Sequence, residues 1–559
     1  MEWESTGDDR GSRSTPTICE NQYFYGASES PPPASDHAIH RPRAPQSGPK
    51  RNASTRRGGT RSGRFIPGKT HHGNWKAGER LVSVAYSMKR LLLATALVLP
   101  LHAQDTPDYS KMKTDEVFMQ LCSGCHGQDL SGGQGGSLID GEWKHGSSDD
   151  ELLKSIKEGN AELGMTPFGT VLDDRQIRSL VIFIREKEKQ AKEKGMDFPK
   201  PEPGKITKTQ HEDYKIEMVV EDGLKNPWAI AFLPDGRKLV TEKQGRLRII
   251  EKDGTLNPEP VKGIPKIIDH GQGGLMEVAV HPDYEKNGWI YLGFADGTRK
   301  DREVKTITAY VRGKLKDGQW TDQEQIWKAD EKFYSGVGVH FGTRIVFDKG
   351  YIYFPVGERG GWQQAQDVEN AKGKIYRLHE DGRVPEDNPK FEGKTPVPGL
   401  WSYGHRNPQG LDMDPRDGSL WSTEHGPRGG DELNLILPGH NYGWPTITYG
   451  MNYDGTPITG KTAEEGMDQP VIYWQPSIAA CGLSFYSGDK FPGWKNDLFA
   501  GALAQQEIRR LRLVDHKVTE QEVILKGIGR VRDVTDAPDG FIYVILNGPD
   551  RVLRLVPSK

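Results

Sequence analysis

Ala229–Val240 reads AIAFLPDGRKLV, and Val534–Ile545 reads VTDAPDGFIYVI. In each, a short apolar run meets a Pro-Asp-Gly turn and leaves it as an alternating strand, the signature of a β-hairpin. Four further stretches lie between them: Val278–Leu292 (VAVHPDYEKNGWIYL), Arg344–Phe354 (RIVFDKGYIYF), Gly410–Trp421 (GLDMDPRDGSLW) and Gly482–Ala500 (GLSFYSGDKFPGWKNDLFA). The six hairpins start about 45–75 residues apart, the length that a four-stranded blade and its loops need. A pair of β-sandwiches is the rival. Six similar hairpins in a row predict instead an all-β, six-bladed β-propeller over 214–557.

Composition bounds the rest. The chain has 559 residues, 75 Lys+Arg against 78 Asp+Glu, a net charge of -3 and 34% hydrophobic residues. Near-neutral charge argues against a nucleic-acid partner, and the low apolar content excludes a multi-span membrane protein. Four cysteines are too few for a disulfide scaffold. Residues 1–87, rich in Ser, Pro, Gly and Arg without apolar period, read as a disordered extension outside the native protein. Met88-Lys89-Arg90 and the run LLLATALVLPLHA form a secretory signal peptide over 88–103. The expectation is a start at Met88, a periplasmic or secreted product, and no transmembrane segment in the mature chain.

Cys122-Ser123-Gly124-Cys125-His126 is the C-x-x-C-H pattern of covalent haem attachment. Two thiols form thioethers to one haem c, and the adjacent His126 reaches the iron. Met165, in a loop punctuated by Gly and Pro, is the expected second iron ligand. Thr114–Leu121 reads as an amphipathic helix. Asp173 caps another whose apolar face is Ile177, Leu180, Val181 and Ile184. The tract REKEKQAKEKG that follows reads as a solvated helix end. These features place a small all-α cytochrome c domain at 110–195, resembling a class I cytochrome c, and a semi-rigid Pro/Lys-rich linker at 196–213.

Propellers bind ligands where loops gather at the channel mouth, so polar motifs between the hairpins are the candidate site. They are Gly271–Leu275 (GQGGL), His340–Arg344 (HFGTR), Gly404–Gly410 (GHRNPQG), Glu424–Glu432 (EHGPRGGDE) and Arg530–Asp533 (RVRD). Alternation puts Arg530 and Arg532 on one strand face, where two guanidiniums suit a multiply carboxylated ligand.

With VGERG, the run from Glu424 to Pro445 and WQPSIA at Trp474–Ala479, these motifs make residues 215–557 resemble the soluble pyrroloquinoline quinone (PQQ)-dependent glucose, sorbosone and aldose sugar dehydrogenases. The HFGTR and VGERG forms are nearer the aldose sugar dehydrogenases. The resemblance implies a sugar oxidoreductase that takes hydride from the anomeric carbon of an aldose to PQQ, yields a lactone, and passes electrons to haem c and a respiratory acceptor, a cytochrome or the quinone pool. It implies His340 as general base, and Arg406 and Asn407 on the quinone oxygens. Gln272 would lie on cofactor and substrate, and Arg530 and Arg532 on the PQQ carboxylates. The backbone carbonyls of Gly426 and Pro427 would bind Ca²⁺, and Trp474 would wall the sugar site. Asp431 and Glu432 read either as turn caps or as ligands of a second Ca²⁺. Val339 stands where the glucose enzymes have Asp, Glu358 where they have another Asp, and Ala504 where they have a Lys, with Gln505 as a neighbouring substitute. Cys481 reads as a packed bystander. Oxidation of sorbosone or another alcohol or aldehyde, a non-catalytic sugar-binding propeller, and a pure electron carrier are the alternatives.

Overall fold

Alternation of β-branched and aromatic residues with turns produces six separate antiparallel sheets in the computed structural model. The structure describes residues 108–160, 164–196 and 199–558; the proposed tail and signal peptide lie outside them. One sheet contains β2–β4 (Pro227–Phe232, Lys238–Glu242, Arg246–Ile250), and the next β5–β8 (Leu275–Val280, Ile290–Lys300, Glu303–Lys316, Gln319–Trp327). Then come β9–β12 (Val346–Asp348, Tyr351–Val356, Lys374–His379, Leu400–Tyr403) and β13–β16 (Pro408–Met413, Leu420–Glu424, Asp431–Ile436, Ile472–Trp474). The fifth sheet is β17–β20 (Ala480–Phe485, Leu498–Ala502, Glu507–Val514, Lys517–Lys526). The sixth joins β21–β23 (Arg530–Asp536, Ile542–Asn547, Arg551–Pro557) to β1 (Tyr214–Val220). Pairing of Tyr214 with Pro557 and Ile216 with Leu555 closes the ring with its first strand against its last, so this blade leaves no free end to unravel. Each of the six hairpins in the sequence is the first pair of one blade.

Apolar clusters fill the spaces between neighbouring blades, such as Tyr310, Trp327, Phe354 and Tyr376. The axis is charged instead. Arg344, buried, lies 2.9 Å from Asp533 and 3.2 Å from Glu277, and it donates to the carbonyls of Gln409 (2.8 Å) and Arg532 (3.1 Å). One guanidinium thus joins β5, β13 and β21. Burial pushes the Glu277 carboxyl up to about 8, against the opposing pull of Arg344.

The segment before the propeller is helical: α1 (Thr114–Leu121), α2 (Ser123–His126), α3 (Asp149–Glu158) and α4 (Asp174–Glu193). Asp173 caps α4 by accepting from the Gln176 N–H at 2.9 Å. Val117, Phe118, Leu152, Ile156, Ile177, Leu180, Val181 and Ile184 form the core of this small domain. No helix among the described residues is long and apolar enough to cross a membrane.

Two expectations are corrected. The charged end of α4 is solvated only in part: Glu186 and Glu188 are buried, at 3% and 5% exposure, while Gln190, Lys192 and Lys194 are exposed. The described part of 196–213, expected as a semi-rigid linker, packs against the propeller. Pro199 accepts from the Lys526 N–H at 2.8 Å, Thr207 pairs with Tyr214, and the Gln210 N–H donates to Glu522 at 2.7 Å. The propeller satisfies these backbone groups.

Arg344→Met leaves two carboxylates buried without their cation and is expected to cost about 3–5 kcal/mol of stability. Burial already holds both folded-state carboxyl pKa values above their unfolded values, and removing the cation raises them further. The variant's deficit relative to the wild type should therefore be smallest where both carboxyls are protonated in both proteins and grow as pH rises through about 8, where Glu277 ionises beside Arg344. Urea unfolding at several pH values measures this; a deficit independent of pH would dismiss the node as a charge cluster.

Candidate active site and haem site

His340 sits between β8 and β9 with a positive φ of 52°, a conformation that a non-glycine residue holds only when its surroundings enforce it. The Gln272 side-chain oxygen accepts from the His340 N–H at 2.9 Å. On the ring, Nδ1 bonds the Glu358 carboxylate, whose other oxygen accepts from the Trp362 N–H at 2.7 Å. With the Nδ1 proton held by Glu358, Nε2 carries the lone pair. Burial lowers the His340 pKa, helped by the Arg406 cation, and together they outweigh Glu358. The Glu358 carboxyl, which burial alone would raise, is held below its usual range by His340 and Arg406. Its replacement of an Asp therefore preserves a carboxylate partner for the histidine. Val339, in the place of the other Asp, offers only its carbonyl, which accepts from Arg359.

Arg406 and Asn407 are clamped by Glu424, whose carboxylate accepts from both backbone N–H groups and from His405 Nδ1 at 3.0 Å. His405 is buried, with both ring nitrogens used inside the protein. Arg406 donates to the carbonyls of His425 (2.9 Å) and Gly426 (2.8 Å), and its guanidinium lies 5.2 Å from the Trp444 ring. Trp444 packs on Trp362 at 5.1 Å. The Asn407 carbonyl oxygen is spent inside the protein, on Gly342 N–H and the Gln409 amide, both at 3.1 Å.

Arg532 sits at a bulge in β21, so simple alternation with Arg530 fails there. It is held over Trp228 at 3.9 Å and against Cys481 Sγ at 3.5 Å, so the thiol is a contact of this cation rather than a bystander. Arg530 is exposed and still close enough to act on the charge of Arg532. Arg406 Nε and His425 Nε2 are buried without a hydrogen-bond partner. Buried orphan polar atoms beside exposed Arg530 are what an anionic, acceptor-rich ligand such as PQQ would satisfy.

Two expectations fare differently. Trp474 is buried, at 2% exposure, in the blade core, and its indole N–H donates to Gln521 at 2.8 Å. It is not a wall of the mouth; Trp444 is the aromatic side chain over Arg406, with Trp362 packed on it. Trp444 was legible within the motif ending at Pro445, whereas Trp362 has no signal beyond following VGERG. The Pro427 carbonyl already accepts from Ser477 (2.8 Å) and Gly430 N–H (3.2 Å), and the Gly426 carbonyl from Arg406. The carbonyls as arranged do not fit Ca²⁺. Ala504 is exposed in the turn between β18 and β19 and brings no cation.

In the helical domain, Cys122 caps α2 and Cys125 lies within it, both as free thiols, and burial pushes Cys122 up to about 11. His126 Nδ1 lies 2.8 Å from the Gly136 carbonyl, which fixes the tautomer that leaves Nε2 for iron. A side chain at Gly135 would collide with the ring, its Cβ 2.9 Å from His126 Cε1. Met165 and Cys122 pack on the same apolar cluster. These residues fit haem c.

Residues 224–554 match the glucose/sorbosone dehydrogenase family, and residues 111–184 match the cbb3-type cytochrome c oxidase subunit III family. The chain belongs to the glucose/sorbosone dehydrogenase family. Joined to this family's propeller is a cytochrome c domain. An aldose sugar dehydrogenase of Escherichia coli strain K12 is 41% identical over 349 residues, covering 61% of this chain and 92% of that protein. The crystal structure of the soluble aldose sugar dehydrogenase from Escherichia coli in its apo-form superposes with a TM-score of 0.58 at 39% identity, over 62% of this chain and all of that one. Quinoprotein glucose dehydrogenase B of Acinetobacter calcoaceticus is 27% identical, over 62% of this chain and 87% of that protein. A sugar-oxidising propeller with a cytochrome domain is the general function this establishes.

Because Glu358 raises the His340 pKa against burial and Arg406, Glu358→Gln should move it further down. An NMR titration of the His340 ring checks this; a rise on substitution would show that another group sets its protonation.

Proposed function

We propose that this chain is a periplasmic quinohaemoprotein that oxidises the anomeric hydroxyl of aldose sugars with PQQ and sends the electrons to its own haem c. The observation that carries the reading is His340. It is neutral, fixed by Glu358 through Nδ1, and set beside an arginine that has an unpartnered buried N–H. PQQ, when bound, supplies the hydride acceptor. His340 Nε2 takes the hydroxyl proton as the hydride leaves the anomeric carbon, and Glu358 stabilises the resulting imidazolium. Arg406 offers positive charge where negative charge develops, positioned in advance by the Glu424 clamp. Arg530 and Arg532 hold the cofactor carboxylates, while Gln272 fixes the backbone of His340 and faces the substrate. Trp362 and Trp444 cover the polar groups and limit water at the mouth. In the helical domain, Cys122 and Cys125 anchor haem c, with His126 and Met165 as its iron ligands and one-electron transfer as its chemistry. The electrons then pass to a respiratory cytochrome or quinone, and the signal peptide starting at Met88 directs the chain to the periplasm. Calcium enters only if cofactor loading turns the Pro427 carbonyl away from Ser477 and Gly430, which a Ca²⁺ titration of PQQ retention decides.

The test is reconstitution: PQQ is added to the purified holo-cytochrome and haem reduction is followed across a panel of aldoses. Aldose-dependent haem reduction is expected. No reduction with any sugar, in protein that retains no PQQ, would favour a binding propeller instead. His340→Ala should lower turnover at least about a hundredfold while PQQ stays bound. Met165→Ala should remove the low-spin, methionine-ligated haem spectrum and lower the potential. An unchanged spectrum would place the axial ligand elsewhere.

A further inference from the structure

Helix α4 is buried on two faces. Ile177, Leu180, Val181 and Ile184 face the helical core, as their spacing requires. Arg178, Ile182 and Glu186 form a second stripe at four-residue spacing, and it is buried as well, at 2%, 1% and 3% exposure. A single small domain needs only the first stripe. The second is covered by the propeller.

The cover is specific. Arg428 grips the Glu186 carboxylate through Nε (3.1 Å) and Nη2 (2.8 Å). Asp149 accepts from Arg185 at 2.8 Å and from the Tyr473 hydroxyl at 3.1 Å, and it lies 3.3 Å from Arg178. Tyr473 stacks on Tyr449 at 3.9 Å, and the Arg178 guanidinium lies 5.6 Å from the Tyr449 ring. Gly429 admits Ile182, because a Cβ there would lie 2.9 Å from its methyl group. Met451 of the propeller, fully buried, completes the core of the helical domain. The N–H of Thr114, which opens the helix leading to Cys122, donates to the Gly455 carbonyl at 3.0 Å.

The propeller side of this contact combines loop 426–430 with Tyr449, Met451, Gly455 and Tyr473. The loop's other end is the mouth: Arg406 bonds the Gly426 carbonyl, two residues before Arg428. One short loop therefore touches the proposed quinone-binding arginine and the haem domain.

We propose that the haem domain is a docked electron outlet rather than a swinging one, latched to loop 426–430 by the Glu186–Arg428 pair, and that electrons from the sugar reach the haem in this docked state. The inference rests on the proposed function for the identity of the electrons, and on the interface alone for the docking. One sugar gives up two electrons, with two protons released to solvent, and a single haem iron carries one at a time. Each turnover thus sends two electrons in succession through the interface, and an external one-electron acceptor, for which ferricyanide serves as probe, must reoxidise the iron twice. Glu186 touches neither haem nor substrate and is a positioning residue.

The test uses the full-length holoprotein carrying Glu186→Lys, with Glu186→Gln as a milder variant should the lysine impair folding. An unchanged haem spectrum certifies the domain. Small-angle scattering should show a larger radius of gyration for Glu186→Lys. Single-turnover haem reduction should slow at least about tenfold, as expected when a partly buried interfacial ion pair is replaced by like charges. Turnover with a dye that takes electrons directly at the propeller should be unchanged, and adding Arg428→Glu should restore haem reduction toward the wild-type rate. Wild-type scattering together with wild-type haem reduction would overturn the latch. An expanded molecule that still reduces its haem at the wild-type rate would overturn the docked route. Absence of dye-linked turnover in the wild-type protein would instead strike the proposed function, leaving scattering to judge the docking.

Discussion

Arg344 sits at the centre of the propeller with a carboxylate on either side, and the arrangement of the mouth follows from it. Apolar packing between blades supplies most of the stabilisation, but such packing is non-directional and would tolerate small rotations of one blade against the next. A buried guanidinium with fixed donor directions does not. It ties Glu277 and Asp533 together and reaches the carbonyls of Gln409 and Arg532. Arg406 stands just before Gln409 in the chain, so locating that carbonyl also locates the arginine proposed to meet the quinone.

Around this centre the site is built from paired opposites. Glu424 clamps the backbone of Arg406 and Asn407, and Glu358 fixes the ring of His340. Each carboxylate is itself satisfied, so neither adds an unpaired buried charge. The balance leaves His340 neutral, because the desolvation cost and the Arg406 cation exceed the pull of one carboxylate. A base with an available lone pair thus coexists with a nearby cation suited to developing negative charge.

Much of this was legible in the chain. Six hairpin motifs counted the blades because each needs its own turn residues. C-x-x-C-H marked the haem site because haem chemistry dictates that spacing. Other features were not legible. Trp474 looks like a stacking residue, but a strand buries it against Gln521. The Arg530–Arg532 alternation is broken by a bulge that depends on the partner strand. Glu186 and Glu188 lie in a tract whose composition resembles a solvated helix end, and whether such a tract meets water depends on what packs on it.

The sequence by itself therefore determined the local signals: turns, helix periods and caps, and the haem-anchoring motif, and it nominated His340, Gln272, Arg406 and Asn407 as site residues. These are carried by neighbouring residues and need no knowledge of distant ones. Only the tertiary structure decided which groups meet, within a blade or between the propeller and the helical domain. It brought Glu358 to His340, Glu424 to Arg406, and Glu186 to Arg428 from 242 positions away. Pairing, burial and protonation depend on distances between residues remote in the chain, and those distances exist only once the propeller has closed and the helical domain has settled on it.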